Sequence, residues 1–268
     1  MAPLNESGPT LLGMVHLLPL PGSPGSGAGG LEPVIERART DVERLRSAGF
    51  DGVMIENFGD VPFHGSVAPA HTLTAMTRVA LALETDGLLV GINVLRNDAA
   101  GALSVAMAVG ADLIRVNVHV GAAVTDQGVI EGRAAETVRL RQRLAPHVAI
   151  MADVDVKHAR PLGLRPELAD LAKETAYRGL ADALIVTGSG TGNQTSYEDL
   201  QVVRAAVPDR PLFVGSGVDV DSVSDLLALA DGVIVGTSIK EGRISDAPVD
   251  EQRARALVAR VRRREDTR

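Results

Sequence analysis

The stretch Gly110-Ala111-Asp112-Leu113-Ile114-Arg115-Val116-Asn117-Val118-His119 holds the plan of the whole chain. Its glycine suits the left-handed turn that ends a helix, and its aspartate opens a strand. From Ile114 onward branched apolar residues alternate with polar ones, the period of a strand whose two faces meet different surroundings. Ile114, Val116 and Val118 belong against a layer of helices, so Arg115, Asn117 and His119 face the other way. The same opening recurs as Gly49-Phe50-Asp51-Gly52-Val53, as Gly179-Leu180-Ala181-Asp182-Ala183 and as Asp231-Gly232-Val233-Ile234. Each copy precedes an even-numbered strand, which makes it a structural device.

Working outward, apolar β-rich runs recur near Leu11–His16, Gly52–Glu56, Leu88–Val94, Asp112–Val118, Val148–Val154, Ala183–Thr187, Leu212–Gly215 and Gly232–Gly236. A helical pattern follows each. In Leu31–Ala48, residues Leu31, Val34, Ile35, Ala38, Val42 and Leu45 share one face at helical spacing. Asp98 reads as the N-cap of the third helix, Pro166 as the first residue of the fifth, and Ser196 with Asp199 as a capping box opening the sixth. Strands alternating with helices make a parallel sheet. Eight such units predict a closed (β/α)₈ TIM barrel, one domain over residues 1–268. An open doubly wound sheet would carry a glycine-rich nucleotide loop after its first strand. Pro19-Leu20-Pro21-Gly22-Ser23-Pro24 stands there instead.

Composition narrows the function. The 268 residues are 45% hydrophobic and 23% charged, with a net charge of −7, which fits a globular chain and gives no basic footprint for nucleic acid. There is no cysteine, so thiolate chemistry and disulfides are excluded. Aromatic residues are only 2%, too few for stacking platforms. No run is apolar enough to span a bilayer, and the N-terminus lacks signal-peptide features, so the expected location is the cytoplasm.

Strand parity sorts the polar residues. Met14 and His16 share the inner face of strand one, Met54 and Glu56 that of strand two, Gly91 and Asn93 that of strand three. Asp153, Asp155 and Lys157 point inward from strand five or run into the loop after it, and Thr187 ends strand six. These positions cluster at the C-terminal ends of the strands, where barrel enzymes keep their chemistry. Buried without partners, they would each cost several kcal/mol, roughly, so they must satisfy one another or a ligand. Asp153 and Asp155 read as a general acid/base pair, as ligands of a divalent cation together with Glu56, or as anchors for Arg115 and Lys157. Lys157 fits an anion clamp or a catalytic Schiff-base amine, and its place at the strand end or in the loop favours the clamp. His16 and His158 are candidate proton carriers, and Asn93 and Asn117 are candidate hydroxyl or phosphate contacts.

Glycine-rich turns end strands six, seven and eight: Thr187-Gly188-Ser189-Gly190-Thr191-Gly192, Gly215-Ser216-Gly217-Val218 and Gly236-Thr237-Ser238. Such turns bring backbone N–H groups and hydroxyls to an anion. Three in these places predict a phosphate site formed by Gly188, Gly190, Gly215, Ser216, Gly217, Gly236, Thr237 and Ser238.

The chain resembles the BtpA/SgcQ family. The resemblance lies in Gly13-Met14-Val15-His16-Leu17 with Pro19-Leu20-Pro21-Gly22, and in Glu56-Asn57-Phe58-Gly59-Asp60-Val61-Pro62-Phe63. It continues through Gly91-Ile92-Asn93-Val94-Leu95-Arg96-Asn97-Asp98, Arg115-Val116-Asn117-Val118, Thr125-Asp126-Gln127-Gly128 and Ala152-Asp153-Val154-Asp155-Val156-Lys157-His158-Ala159. It implies a phosphate-binding TIM barrel without settling an activity. One family name comes from photosystem I accumulation and the other from a sugar-utilisation gene region. With the resemblance in hand, Glu56–Phe63 with His64 reads as a wall of the pocket and Thr125–Gly128 as a lid.

The expected function is an enzyme on a small phosphorylated metabolite, a sugar or ribosyl phosphate, through isomerase, lyase or transferase chemistry. Its alternatives are a non-catalytic biogenesis factor on a relic barrel and an FMN-binding barrel. No cofactor is assigned; Mg²⁺ at Asp153, Asp155 and Glu56 stays open, and FMN is disfavoured. A homo-oligomer is the default expectation for such a barrel.

Overall fold

The computed structural model describes residues 4, 8–155, 159–163, 166–188 and 195–265. Lys157, His158 and Gly190 lie outside the described residues. The strands run β1 (Thr10–His16), β2 (Gly52–Glu56), β3 (Leu89–Asn93), β4 (Leu113–Val116), β5 (Ala122–Thr125), β6 (Gly128–Glu131), β7 (Ala149–Val154), β8 (Arg160–Pro161), β9 (Ala183–Val186), β10 (Leu212–Val214) and β11 (Gly232–Val235). Between them lie α1 (Glu32–Ala48), α2 (Ala70–Ala80), α3 (Ala99–Val109), α4 (Ala134–Leu144), α5 (Leu168–Lys173), α6 (Tyr197–Ala206), α7 (Val223–Leu226) and α8 (Glu251–Glu265). Eight parallel strands close into a barrel in the order β1-β11-β10-β9-β7-β4-β3-β2. The remaining three form a small antiparallel sheet, β6-β5-β8, inserted around the fifth barrel strand, β7.

The recurring aspartates close the bottom of the barrel. Asp51, Asp112, Asp182 and Asp231 each accept the backbone N–H of the preceding odd strand, from Leu11, Val90, Ile150 and Leu212, all at 2.8 Å. Each aspartate thus ties two neighbouring strands in register. Gly49 and Gly110 take the expected left-handed turn, with φ of 91° and 70°. Gly179 does not: a π-helical turn over Glu174–Arg178 ends in an N–H bond from Gly179 to the Glu174 carbonyl. The wider turn passes the left-handed position on to Leu180, at φ 55°.

Parity holds through the regular part of every barrel strand. Leu12, Met14, Met54, Leu113, Ala149, Met151, Ala183, Ile185, Phe213 and Ile234 pack together as the lumen core. Ile114, Val116, Ala152 and Val154 join the separate layer beneath the helices. Gly91 keeps the lumen wide enough, since a Cβ there would lie 2.4 Å from Leu113 and 2.8 Å from Met54. His119 is a correction. Strand β4 stops at Val116, and Asn97 turns the chain by binding both the N–H and the carbonyl of Val118 at 2.8 Å. His119 is thereby buried behind the barrel wall, with Nε2 2.8 Å from the Gly179 carbonyl.

Asp98 caps α3 as expected, accepting from Gly101 N at 2.8 Å. Ser196 Oγ accepts from Asp199 N at 3.2 Å but donates to Glu198, so the box is half formed. Pro166 does not begin the fifth helix; α5 starts at Leu168 behind an extended Glu167. Among the described residues no helix is long and apolar enough to cross a membrane.

Candidate functional site

A cavity of about 890 Å³ opens above the lumen core at the C-terminal ends of the strands. From the expected site it gathers His16, Glu56, Arg115, Asn117, Gly215, Ser216, Gly217, Gly236, Thr237 and Ser238. Its remaining walls come from segments outside the barrel strands, with Phe58, Phe63, Arg96, Asp126, Arg160 and Arg243 among them.

The inner floor holds two linked groups of side chains. In the first, His16 stands on β1 beside Glu56 on β2, Nε2 3.7 Å from Oε1. His16 Nδ1 lies 2.6 Å from the Ser245 carbonyl, which can only accept, so Nδ1 carries a proton. The imidazole also stacks on Phe58, ring centroids 4.3 Å apart. Asn93 on β3 donates from Nδ2 to Glu56 Oε2 at 2.6 Å. Asn93 is fully buried and does not line the cavity, so it positions Glu56 in place of the ligand contact expected of it.

In the second group Arg115 on β4 reaches Asp153 on β7 through two hydrogen bonds, and Asn117 Nδ2 donates to the same carboxylate at 2.9 Å. Burial acts to lower the Arg115 pKa, but the charge and hydrogen bonds of Asp153, with help from Glu56, hold it above its ordinary value. Arg115 is therefore a fixed cation. Asn117 Oδ1 is buried with no hydrogen-bond partner among the described residues.

Asp153 does not line the large cavity. With Asp155 it faces a second one of about 660 Å³, between the small sheet and α5. Asp155 takes a left-handed φ of 56° just beyond β7, which ends the strand alternation there. The expected Asp153–Asp155 pair is thus committed in one half to Arg115. Among the described residues no three His, Asp or Glu side chains are grouped to hold a metal ion.

The glycine turns of β10 and β11 close the far wall. A Cβ at Gly215 would lie 2.5 Å from Ile185 and 3.2 Å from Thr187, and Arg115 Nη2 is 3.4 Å from the same point. Only glycine lets this turn settle against the floor. Gly236 sits beside His16, 3.4 Å from Cβ position to ring. Thr187 and Ser216 are buried next to this wall, and the Ser216 carbonyl accepts from Thr195 at 2.9 Å.

The Glu56–Phe63 segment does form a wall, but through Phe58, Val61 and Phe63. Asn57 and Asp60 within it are buried braces. Asn57 Oδ1 accepts from Leu95 N at 2.7 Å, and Asp60 Oδ1 from Leu20 N at 2.8 Å, so three loops are tied together. The Thr125–Gly128 motif forms the turn of the β5–β6 hairpin, and Thr125 and Asp126 reach the cavity.

The chain has relatives that match it over nearly its whole length. A photosystem I biogenesis protein BtpA from Synechocystis sp. is 46% identical over 250 residues, 92% of this chain and 86% of that protein. A putative sgc region protein, SgcQ, from Escherichia coli K12 is 33% identical, covering 94% of this chain and 93% of that protein. Among solved structures, a phosphoribosyl anthranilate isomerase from Thermus thermophilus superposes with a TM-score of 0.58 at 12% identity, over 95% of this chain and 98% of that one. That likeness establishes the TIM-barrel fold. The family model matched over residues 8–263 establishes more: this chain belongs to the BtpA family.

Proposed function

We propose that this protein is an enzyme acting on a small phosphorylated metabolite, a sugar or ribosyl phosphate. The observation that carries the reading is that one cavity joins a fixed cation and two glycine turns to a histidine–carboxylate pair. The turns Gly215–Gly217 and Gly236–Ser238 would cradle the phosphate with Arg115 beneath them. Glu56 and His16 would move the proton: Nδ1–H is held by Ser245, which leaves Nε2 as the basic nitrogen, facing Glu56. Such a pair suits isomerisation, aldol-type cleavage or transfer at an anomeric carbon. Asp153 would set the guanidinium in place rather than exchange protons.

The name of the Synechocystis relative supports a second reading, in which the barrel binds its ligand while serving assembly. One screen separates the two. Thermal shifts are measured with phosphorylated sugars and nucleotides beside their dephosphorylated counterparts, with and without magnesium, and an absorption spectrum of the purified protein reads out bound flavin. A true ligand at 100 to 1,000 times its Kd should add about 3–4 kcal/mol of stability. Ser216→Asp should abolish the shift. A phosphate-dependent ligand that is turned over supports the enzyme; one that binds without turnover supports the assembly reading. No shift anywhere in the panel would overturn the phosphate site.

A further inference from the structure

Arg96 lines the cavity wall, and the floor chemistry does not use its charge. It follows β3, and it is half-buried and held from two sides. Its guanidinium carbon lies 5.1 Å from the centre of the Phe63 ring, and its Nε donates to Gln127 Oε1 at 3.2 Å. Its own N–H is tied to the His64 carbonyl at 2.9 Å. Among the described residues no carboxylate lies within ion-pair distance of it. Asp126, next on the same hairpin, accepts from the Gln127 side-chain amide at 2.5 Å. The amide thus stands between the carboxylate and the arginine.

Position gives this cation its meaning. In the closed ring β3 stands four strands from β10 in either direction, so Arg96 faces the Gly215 turn across the mouth. Eight strands spaced 4.8 Å apart and tilted by about 36° enclose a barrel roughly 15 Å across. Allowing for the reach of an arginine, the gap matches a sugar phosphate in length. Arg160, on β8, lines the same cavity. Nε is occupied, and among the described residues Nη1 and Nη2 of Arg96 have no hydrogen-bond partner, which suits them to a planar oxyanion, the geometry a guanidinium binds best.

We infer that the ligand carries a second anionic group, a carboxylate or a second phosphate, at the end remote from the glycine turns, and that Arg96 receives it. This rests on the phosphate reading above and narrows its substrate class to compounds anionic at both ends. The hydrogen-bonded Gln127 and the stacked Phe63 would then be positioning residues, fixing the guanidinium before the ligand arrives.

The test is calorimetric titration of matched pairs: 6-phosphogluconate against glucose 6-phosphate, and fructose 1,6-bisphosphate against fructose 6-phosphate. In the unaltered protein at least one doubly anionic member should bind about tenfold more tightly than its partner, the scale of one charge-assisted contact. Arg96→Met should bring that ratio close to one while the monophosphates bind as before, which also shows that the variant folds. Arg96→Lys should keep part of the ratio. A ratio near one in the unaltered protein, or a high ratio that survives Arg96→Met, would overturn the inference. Failure of the phosphate reading looks different: no monophosphate binds, or Ser216→Asp leaves their binding unchanged, and the second subsite falls with it.

Discussion

Arg115 holds both carboxylate oxygens of Asp153, Nε at 2.9 Å and Nη2 at 3.0 Å, across the adjacent strands β4 and β7. The pair is almost wholly buried, with side chains 5% and 0% exposed. Removing one partner leaves a buried charge that has lost its hydrogen-bonded counter-ion. Asp153→Asn and Arg115→Met should therefore each cost about 3–5 kcal/mol. The double variant Arg115→Met/Asp153→Leu should lose less than the sum of the two, because no charge is stranded. Urea unfolding of the four proteins reads this directly. Additive losses would mean that the two side chains do not interact in solution.

How much of this was legible in the sequence depends on backbone regularity. His16, Glu56, Arg115, Asn117 and Asp153 were placed correctly because each lies within or just after a straight strand, where period two assigns the face. Asp155 falls in the loop after its strand, the second of the two places open to it, because a left-handed residue ends β7. His119 was not placed, since the Asn97 clamp turns the chain after β4. Arg96, Arg160 and Arg243 were missed altogether as site residues. Arg96 lies in a loop and Arg243 at the end of a three-residue 3₁₀ turn, neither of which has a period to read, and Arg160 lies on a two-residue strand outside the barrel. A signal was present for Arg96 inside the Gly91–Asp98 motif, whose Asn97 and Asp98 turn out to be backbone braces. The Asp51, Asp112, Asp182 and Asp231 repeat was visible, but its bond to the preceding strand was not, because the partner lies tens of residues away in three of the four cases.

His16 has its protonated nitrogen fixed by the Ser245 carbonyl, so its chemistry resides on Nε2. His16→Gln should lower turnover of any substrate found by the screen by about 10²–10⁴-fold, the usual worth of a general acid or base. Affinity for the phosphate group should change little. A kcat within a few-fold of the unaltered protein would remove His16 from proton transfer. Glu56→Gln, which keeps an acceptor oxygen but no charge, should fall in the same range.

Asp41 and Lys240 form a second buried pair, both side chains 0% exposed, joining α1 to the segment after β11. Asp41 also accepts from Val249 N at 2.7 Å, and Arg37 lies 3.4 Å away. Burial pushes the Lys240 ammonium below its ordinary pKa, and the Asp41 charge and hydrogen bond pull part of it back. Asp41→Ala should cost more than Lys240→Met, because it strands two cationic groups and a backbone donor while the latter leaves the carboxylate with partners. The first should lose about 3–5 kcal/mol and the second visibly less. Equal losses in chemical denaturation would contradict this ordering.

His119 should make the fold sensitive to mild acid. Nε2–H donates to the Gly179 carbonyl, and Nδ1 is buried with no partner among the described residues. A second proton would have to sit on that nitrogen. Burial accordingly lowers the His119 pKa from its ordinary 6.5, with the Gly179 bond and Asp182 opposing and Arg141 assisting. The unfolded chain therefore takes up a proton as pH falls below about 6.5, while the folded one does not until its own lower pKa. Stability is full above that window and declines through it, by at most about 1.4 kcal/mol per pH unit. His119→Gln keeps an amide donor for Gly179 and cannot titrate. Denaturation midpoints measured from pH 7.5 down to 5 should fall more steeply for the unaltered protein than for the variant. Parallel curves would show that His119 takes up its second proton alike in the folded and the unfolded chain, so that its burial leaves no mark on stability.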